Sequence, residues 1–372
     1  MHITKLCVNG FKNLKNIEIY PHPSLNIFCG DNAQGKTNLI EAIWLCSGAK
    51  SFRGTKDKGM IDMNGESMSI ELKFKNSRRE QTIAYSMARP NVREKSCKLN
   101  GVRLSAPSKL FGNLDCVVFT PEDLGLSKGF PEKRRQFLDL SVSQIKLSYG
   151  EVAAKYDQLI EQRNSLLKNI AFGRSVRDEL EVWDIQLARM GAYISLLRYN
   201  YAKKLNLLAG SLYSEISGGE ERLELRYCST VFDSLEGRQD YKNDLSEEYL
   251  RCLENNREED IRAGFTQKGV HRDDLAGFIN RLSVRDFASQ GQHRSAALVM
   301  KLAQAYILAE ETGEAPCILL DDVLSELDPS RQEFAVAKIK GMQVFITCCD
   351  EAFPFEGRSG KLYRIKNGRI IS

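Results

Sequence analysis

At 372 residues the chain is long enough for two domains, each with its own core. Hydrophobic residues make up 42% of it, yet no apolar stretch reaches the length of a membrane span, and a net charge of +4 only weakly favours an acidic partner. Ten scattered cysteines without a C-x-x-C, and four histidines, support neither a zinc site nor a disulfide framework. Met1-His2-Ile3-Thr4-Lys5 runs straight into strand-like sequence with no signal segment, so a cytoplasmic protein with no membrane association is expected.

In chain order, Leu25–Cys29 reads as a compact apolar strand. Thr37–Ser47 reads as a helix carrying Ile40, Ile43, Trp44 and Leu45. Ser67–Phe74 alternates, with Met68, Ile70, Leu72 and Phe74 on one face. From Lys73 to Arg103 nine basic residues stand against two acidic ones. Such a basic, strand-rich stretch is what a duplex-tracking surface requires, since phosphate neutralisation gives sequence-independent affinity. Its candidate contacts are Lys73, Lys75, Arg78, Arg79 and Arg93. A third apolar strand, Cys116–Phe119, ends before Pro121. The middle changes character: Tyr149 to Ile170 and Ile185 to Leu212 both follow a 3.6-residue period, with Gly173 between them. An antiparallel helical hairpin is expected there. Asp240–Asp260 reverses the charge, with eight acidic residues against three basic. After Gly264 short strands return, then a helix, an apolar strand and terminal strands. The pattern predicts an α/β fold with a helical insertion: an N-terminal lobe over 1–120, a helical arm over 121–262 and the rest of the first lobe over 263–372.

Gly30-Asp31-Asn32-Ala33-Gln34-Gly35-Lys36-Thr37 fits G-x-x-x-x-G-K-[ST], between a strand and a helix as that motif requires. Its glycines let backbone N–H groups wrap phosphate oxygens, and the helix adds its positive end. Lys36 is expected to reach the β- and γ-phosphates, and the Thr37 hydroxyl to ligate Mg2+. With Asn38 these residues form the expected nucleotide site. Downstream, Cys317-Ile318-Leu319-Leu320-Asp321-Asp322 is an apolar strand ending in two carboxylates. Asp321 is expected near the metal, and Asp322 to polarise the attacking water.

A second anion site is expected at Ser289-Gln290-Gly291-Gln292. There a hydroxyl, a backbone N–H and a helix N-terminus come together ahead of Ala296, Leu298, Val299, Leu302, Ala303, Tyr306 and Ile307. Ser217-Gly218-Gly219-Glu220 looks similar, but strand-like alternation follows it in Arg222–Tyr227, so it is read as a turn. Two phosphate sites on one chain predict that two chains share each nucleotide, with Ser289, Gly291 and Gln292 of one closing over the phosphates held by the other. Ser289 joins Lys36 and Asp322 as an expected catalytic residue.

These parts resemble ABC-type ATPase heads, and more closely the bacterial RecF family. The likeness runs along nearly the whole chain. It is carried by Asn26–Ile43, Lys50-Ser51-Phe52-Arg53, Pro121-Glu122-Asp123-Leu124, Lys128-Gly129 with Arg134-Arg135 and Phe137-Leu138-Asp139, His271-Arg272-Asp273-Asp274-Leu275, and Ser289–Ser295. The resemblance implies an ABC-type head, a P-loop NTPase core with a mixed sheet, carrying the α-helical arm. It implies ATP with Mg2+, a homodimer formed on ATP, and weak DNA-stimulated hydrolysis. Binding to double-stranded DNA and single-strand/double-strand junctions, and recombination mediator proteins as partners, follow from the same resemblance. Val270 stands where a proline is usual, Asp31 and Ala33 replace the commoner Glu and Gly, and Asp322 is one methylene shorter than the usual glutamate. No switch histidine is evident near Ile346–Asp350. Arg53 resembles an arginine that approaches the nucleotide in SMC-type heads, a DNA-phosphate contact being the alternative. Lys133, Arg134 and Arg135 are either DNA contacts or part of the arm's salt bridges.

Overall fold

A computed structural model describes residues 1–89, 95–349 and 359–371. It divides into two units, Met1–Gly125 with Ala297–Ser372, and Leu126–Ala296. The first unit opens with β1 (His2–Asn9), β2 (Ile17–Ile19), β3 (Leu25–Cys29) and α1 (Lys36–Cys46). It continues with β4 (Ser67–Lys75), β5 (Glu80–Ala88), β6 (Ser96–Leu99), β7 (Val102–Arg103) and β8 (Cys116–Phe119). The second unit holds α2 (Pro131–Ile145), α3 (Tyr149–Ala171), α4 (Leu180–Ile216), β9 (Leu223–Cys228), α5 (Asp244–Asn255), α6 (Arg257–Ala263), β10 (Asp274–Ile279), β11 (Leu282–Ser283) and α7 (Val284–Phe287). Through α8 (Gln290–Thr312) the chain returns to the first unit and adds β12 (Cys317–Leu320), α9 (Pro329–Lys338), β13 (Val344–Cys348), β14 (Gly360–Lys366) and β15 (Arg369–Ile370).

Two sheets build the first unit. Four strands, β3, β8, β12 and β13, are apolar almost throughout and buried on both faces, the signature of parallel pairing. They align in the order β15-β14-β3-β13-β12-β8, parallel except for the β14–β15 hairpin. The other sheet, β2-β1-β4-β5-β6-β7, is antiparallel. In β4 and β5 the burial alternates strictly, so Met68, Ile70, Leu72 and Phe74 face the core while Ser69, Glu71 and Lys73 face outward. Helix α1 contacts strands of both sheets and is buried nearly all round. A helix placed between two layers has no solvent face to keep polar, which explains its run Leu39-Ile40, Ala42-Ile43-Trp44-Leu45.

The second unit is built on long amphipathic helices. The expected hairpin is α3 and α4, joined through Gly173 in the left-handed region (φ 68°). Leu166, Leu167, Leu180 and Ile261 form a core cluster within it. Arg163 is fully buried there, held by Asp184 Oδ1 and Asp260 Oδ2, both at 2.7 Å, and by Thr266 Oγ1 at 2.8 Å. A three-stranded antiparallel sheet, β11-β10-β9, completes the unit. Here the chain departs from the expected division. Residues 263–296, expected with the first lobe, belong to the helical unit, because β10 pairs in register with β9 (Asp274 opposite Cys228, Ile279 opposite Leu223) and β11 with β10. Among the described residues no helix is long and apolar enough to cross a membrane.

Candidate nucleotide site

Strand order places the site. With β13 between β3 and β12, the carboxyl ends of all three open on one rim, where ligands of parallel α/β sheets collect. The register sets Cys348 beside Cys29, and Leu320 beside Ile346. Gly30, Asp321 and Thr347 therefore meet at that rim.

The loop after β3 has the conformation its glycines permit. A Cβ on Gly30 would lie 2.4 Å from the Ile365 carbonyl oxygen, and Gly35, at φ 113°, caps α1 from the left-handed region. Lys36 is buried; its Nζ donates to the Gly30 and Asp31 carbonyls at 2.6 and 3.2 Å and lies 3.2 Å from Cys349 Sγ. The loop is supported from outside as well. Asn13 accepts from Asn38 Nδ2 at 2.7 Å and donates to the Ala33 carbonyl at 3.3 Å. The Asn367 and Gly368 N–H groups, at the β14–β15 turn, donate to Gln34 Oε1 and the Gln34 carbonyl at 2.6 and 3.0 Å. Neither Asn13 nor the terminal turn carries a motif, so sequence reading passed over them.

Thr37 hydrogen-bonds Asp321, which ties loop to strand. Burial, first, and the neighbouring Asp322 push the Asp321 carboxyl up to about 6, against the hydrogen bonds from Thr37 and Thr347 and the positive Arg53. A buried carboxylate beside a second one and a threonine hydroxyl is a donor set that a hard divalent cation relieves, so Thr37 and Asp321 fit Mg2+. Asp322 sits in the left-handed region (φ 49°), a conformation that costs a non-glycine residue about 1–2 kcal/mol. What holds it there is Thr347: its Oγ1 accepts the Asp322 N–H at 2.8 Å and lies 3.1 Å from Asp321 Oδ1 and 3.2 Å from Asp322 Oδ1. Thr347 stands on β13, within the Ile346–Asp350 stretch that carries no histidine.

Asn32, Ala33, Gln34, Gly35, Lys36, Thr37 and Asn38 line a cavity of about 290 Å³ together with Arg53 and Asp322. Arg53 Nη1 reaches Asn38 Oδ1 at 3.5 Å. Arg53 thus stands beside the phosphate loop.

Ser289, Gln290, Gly291 and Gln292 belong to the second unit and are not among the residues that line this cavity. Ser289 is exposed at the N-terminus of α8. It forms a reciprocal capping box with Gln292: the Ser289 N–H donates to Gln292 Oε1 at 2.7 Å, and the Gln292 N–H donates to Ser289 Oγ at 3.2 Å. Gln292 Nε2 also donates to Glu221 Oε1 at 2.6 Å. The look-alike Ser217–Glu220 is the C-terminal cap of α4. Gly218 and Gly219 are left-handed there, and the Gly219 N–H turns back to the Ser214 carbonyl at 2.7 Å. It presents the negative end of a helix, the wrong pole for phosphate.

The basic candidates lie on the antiparallel sheet. Lys73 is half-buried on its outer face, with Lys75, Arg78 and Arg79 exposed at and beside the β4–β5 turn. Arg93 lies outside the described residues. The register adds Lys98 and Arg103, paired across β6 and β7 on the same outer face. Of the other basic string, Lys133 is exposed, while Arg134 and Arg135 are spent internally. Arg134 is buried and forks onto Asp274 with two 2.7 Å hydrogen bonds, and Arg135 Nη1 donates to the Asp273 carbonyl at 2.9 Å. Asp139 pairs with Arg198, whose Nη1 reaches the Val270 carbonyl at 2.6 Å. Arg134 and Arg135 are thus clamps of the helical unit.

Residues 2–369 match the family described as RecF/RecN/SMC N terminal domain. The chain is 36% identical over 373 residues to the DNA replication and repair protein RecF of Clostridium perfringens (strain SM101 / Type A), covering 100% of this chain and 99% of that one. It is 39% identical over 347 residues to the protein of that name from Alkaliphilus oremlandii (strain OhILAs), covering 93% of each. A solved structure of the recombination mediator protein RecF-ATP in the RecFOR pathway superposes with a TM-score of 0.89 at 34% identity, over 99% of this chain and 96% of that one. An SmcHead bound to the C-winged helix domain of ScpA reaches a TM-score of 0.54 at 14% identity, over 100% of this chain and 96% of that one, a likeness of fold alone.

Proposed function

The chain belongs to the RecF family, and from that premise we propose that it is an ATP-dependent DNA-binding protein of recombinational repair and replication restart. Its fold is the ABC-type ATPase head with an inserted helical unit, and it binds ATP as that family does. Lys36 and the N–H groups from Gly30 to Asn38 hold the triphosphate. Mg2+, held by Thr37 and Asp321, supplies charge neutralisation at the phosphate oxygens. Asp322, oriented by Thr347, takes the proton of the attacking water. Ser289, Gly291 and Gln292 come from a second copy across a two-fold axis, so ATP holds the dimer together and hydrolysis releases it. With the shorter Asp322 in the glutamate's place, turnover is slow and serves as a timer.

The outer face of the antiparallel sheet, with Lys73, Lys75, Arg78 and Arg79, takes the phosphate backbone of double-stranded DNA or a single-strand/double-strand junction. Dimerisation doubles that surface and its avidity. At gaps the complex works with recombination mediator proteins to help load the recombinase, and DNA stimulates its weak ATPase.

The observation that carries the reading is the convergence of Lys36, Thr37, Asp321 and Asp322 on one strand rim, with Ser289 exposed at a helix N-terminus in the other unit. The test is sedimentation of Ser289→Arg. The variant should bind ATP as a monomer but form no ATP-dependent dimer; a dimer at wild-type strength would overturn the shared site. DNA titrations with and without ATP, at several salt concentrations, test the nucleic-acid part. Affinity that ignores salt would remove it.

A further inference from the structure

Glu41 is a carboxylate with no access to solvent, on the phosphate-loop helix one turn beyond Lys36. Burying a charge is costly unless it is paired and hydrogen-bonded. Both of its oxygens are taken: Oε2 by the Lys12 ammonium, and Oε1 by the Ser51 hydroxyl. Each partner reaches on to Thr55. Lys12 Nζ donates to Thr55 Oγ1 at 3.2 Å, and the Thr55 N–H donates to Ser51 Oγ at 3.1 Å. Trp44, on the same helix, fixes the loop's other end through a 2.8 Å hydrogen bond from Nε1 to the Lys50 carbonyl.

The loop Lys50–Thr55 is therefore tied to α1 at its start and its end, and only its middle is free to project. Arg53 is that middle. It is exposed, lines the cavity with the phosphate loop and touches Asn38. A side chain as flexible as arginine loses much rotational freedom on binding, and a fixed backbone anchor reduces what remains to be lost. An Arg53 contact with DNA alone would give no reason to root its loop in the nucleotide helix.

We infer that Glu41, through Ser51 and Lys12, is a positioning residue that holds Arg53 over the bound nucleotide's phosphates and so sets nucleotide affinity. This rests on the nucleotide reading above. The test is a double-mutant cycle read by titration of a fluorescent ATP analogue, using Glu41→Gln, Ser51→Ala and Arg53→Ala in the full chain. Arg53→Ala is expected to weaken binding about tenfold, as loss of one charge-assisted contact does. Glu41→Gln should weaken it about as much, and Ser51→Ala about threefold. In the Arg53→Ala background neither should cause further loss. In hydrolysis, Glu41→Gln should raise KM for ATP and leave kcat near its starting value.

If Glu41→Gln weakens binding equally with and without Arg53, or if Arg53→Ala binds as wild type does, the inference is overturned. If Glu41→Gln melts below the assay temperature, Ser51→Ala, which keeps the buried ion pair, decides by the same criterion. Failure of the wild-type chain to bind the analogue would overturn the nucleotide reading itself.

Discussion

The two units use polar side chains in opposite ways. Around the phosphate loop, Lys36, Thr37, Asn38, Arg53 and Asp322 converge on an open cavity, and Lys36 makes its hydrogen bonds to carbonyls of the loop that cradles it. In the helical unit, charged groups at strings just as conspicuous face one another: Arg134 with Asp274, Asp139 with Arg198, and Arg163 with Asp184 and Asp260. The first arrangement leaves binding capacity for a ligand. The second spends it on fixing α2 to α4 and β10, and α3 to α4 and α6, and a buried pair of that kind is costly to break from one side. A charged motif is therefore informative about function only once its partners are known.

The sharpest way to break this comparison is to truncate one lysine and one arginine. Lys36→Met should lower ATP affinity at least about a hundredfold, because the cation proposed to face two phosphates is gone. Its melting temperature should change little, since the lost hydrogen bonds run to two neighbouring carbonyls and to the weakly accepting Cys349 sulfur. Arg134→Met should do the reverse. It leaves Asp274 without its cation and the Gly129 carbonyl without its donor, and should cost about 3 kcal/mol of stability, toward the low end for a broken buried pair because Asp274 is partly exposed and keeps the Leu275 N–H. ATP affinity of the folded fraction should stay within about twofold of wild type. Calorimetry and nucleotide titration on both variants check the crossing. If both lost affinity and stability together, the division between open and spent charges would fail.

Much of this was legible before any coordinates. Strand, glycine loop and helix occur in a fixed order, and local chemistry dictates the conformation at Gly30 and Gly35. The alternation of Ser67–Phe74 and the period of α3 and α4 are equally local signals. What escaped was set by pairing at long range. Residues 263–296 look like a return to the first lobe because they are short strands, yet their hydrogen bonds go to β9, more than 40 residues earlier. Thr347, Asn13 and Glu41 have no motif of their own. Each matters because a neighbouring strand or loop brings it to the site, and no local pattern marks Thr347 as the partner of Asp321 and Asp322. The basic run was legible as charge, but the register was needed to put Lys98 and Arg103 on the outer face with Lys73 and to turn Arg134 inward.

Thr347 gives the finest test of the open site. Among the described residues its hydroxyl is the one group that holds the Asp322 backbone N–H, and it sits between two carboxylates to which the proposed mechanism gives different roles. Valine has nearly the same shape but neither accepts nor donates. Thr347→Val should therefore leave the phosphate cradle intact, with ATP affinity within about twofold, while Asp322 loses the anchor of its left-handed conformation. With Asp322, the proposed water-activating carboxylate, free to relax, kcat should fall about tenfold, as expected when one positioning hydrogen bond of about 1.4 kcal/mol is lost. Thr347→Ser restores the hydroxyl and should recover most of the rate. Single-turnover hydrolysis separates this step from product release. Equal rates for the valine and serine variants would mean that Asp322 holds its place without Thr347, and that the strained φ is maintained by the strand end alone.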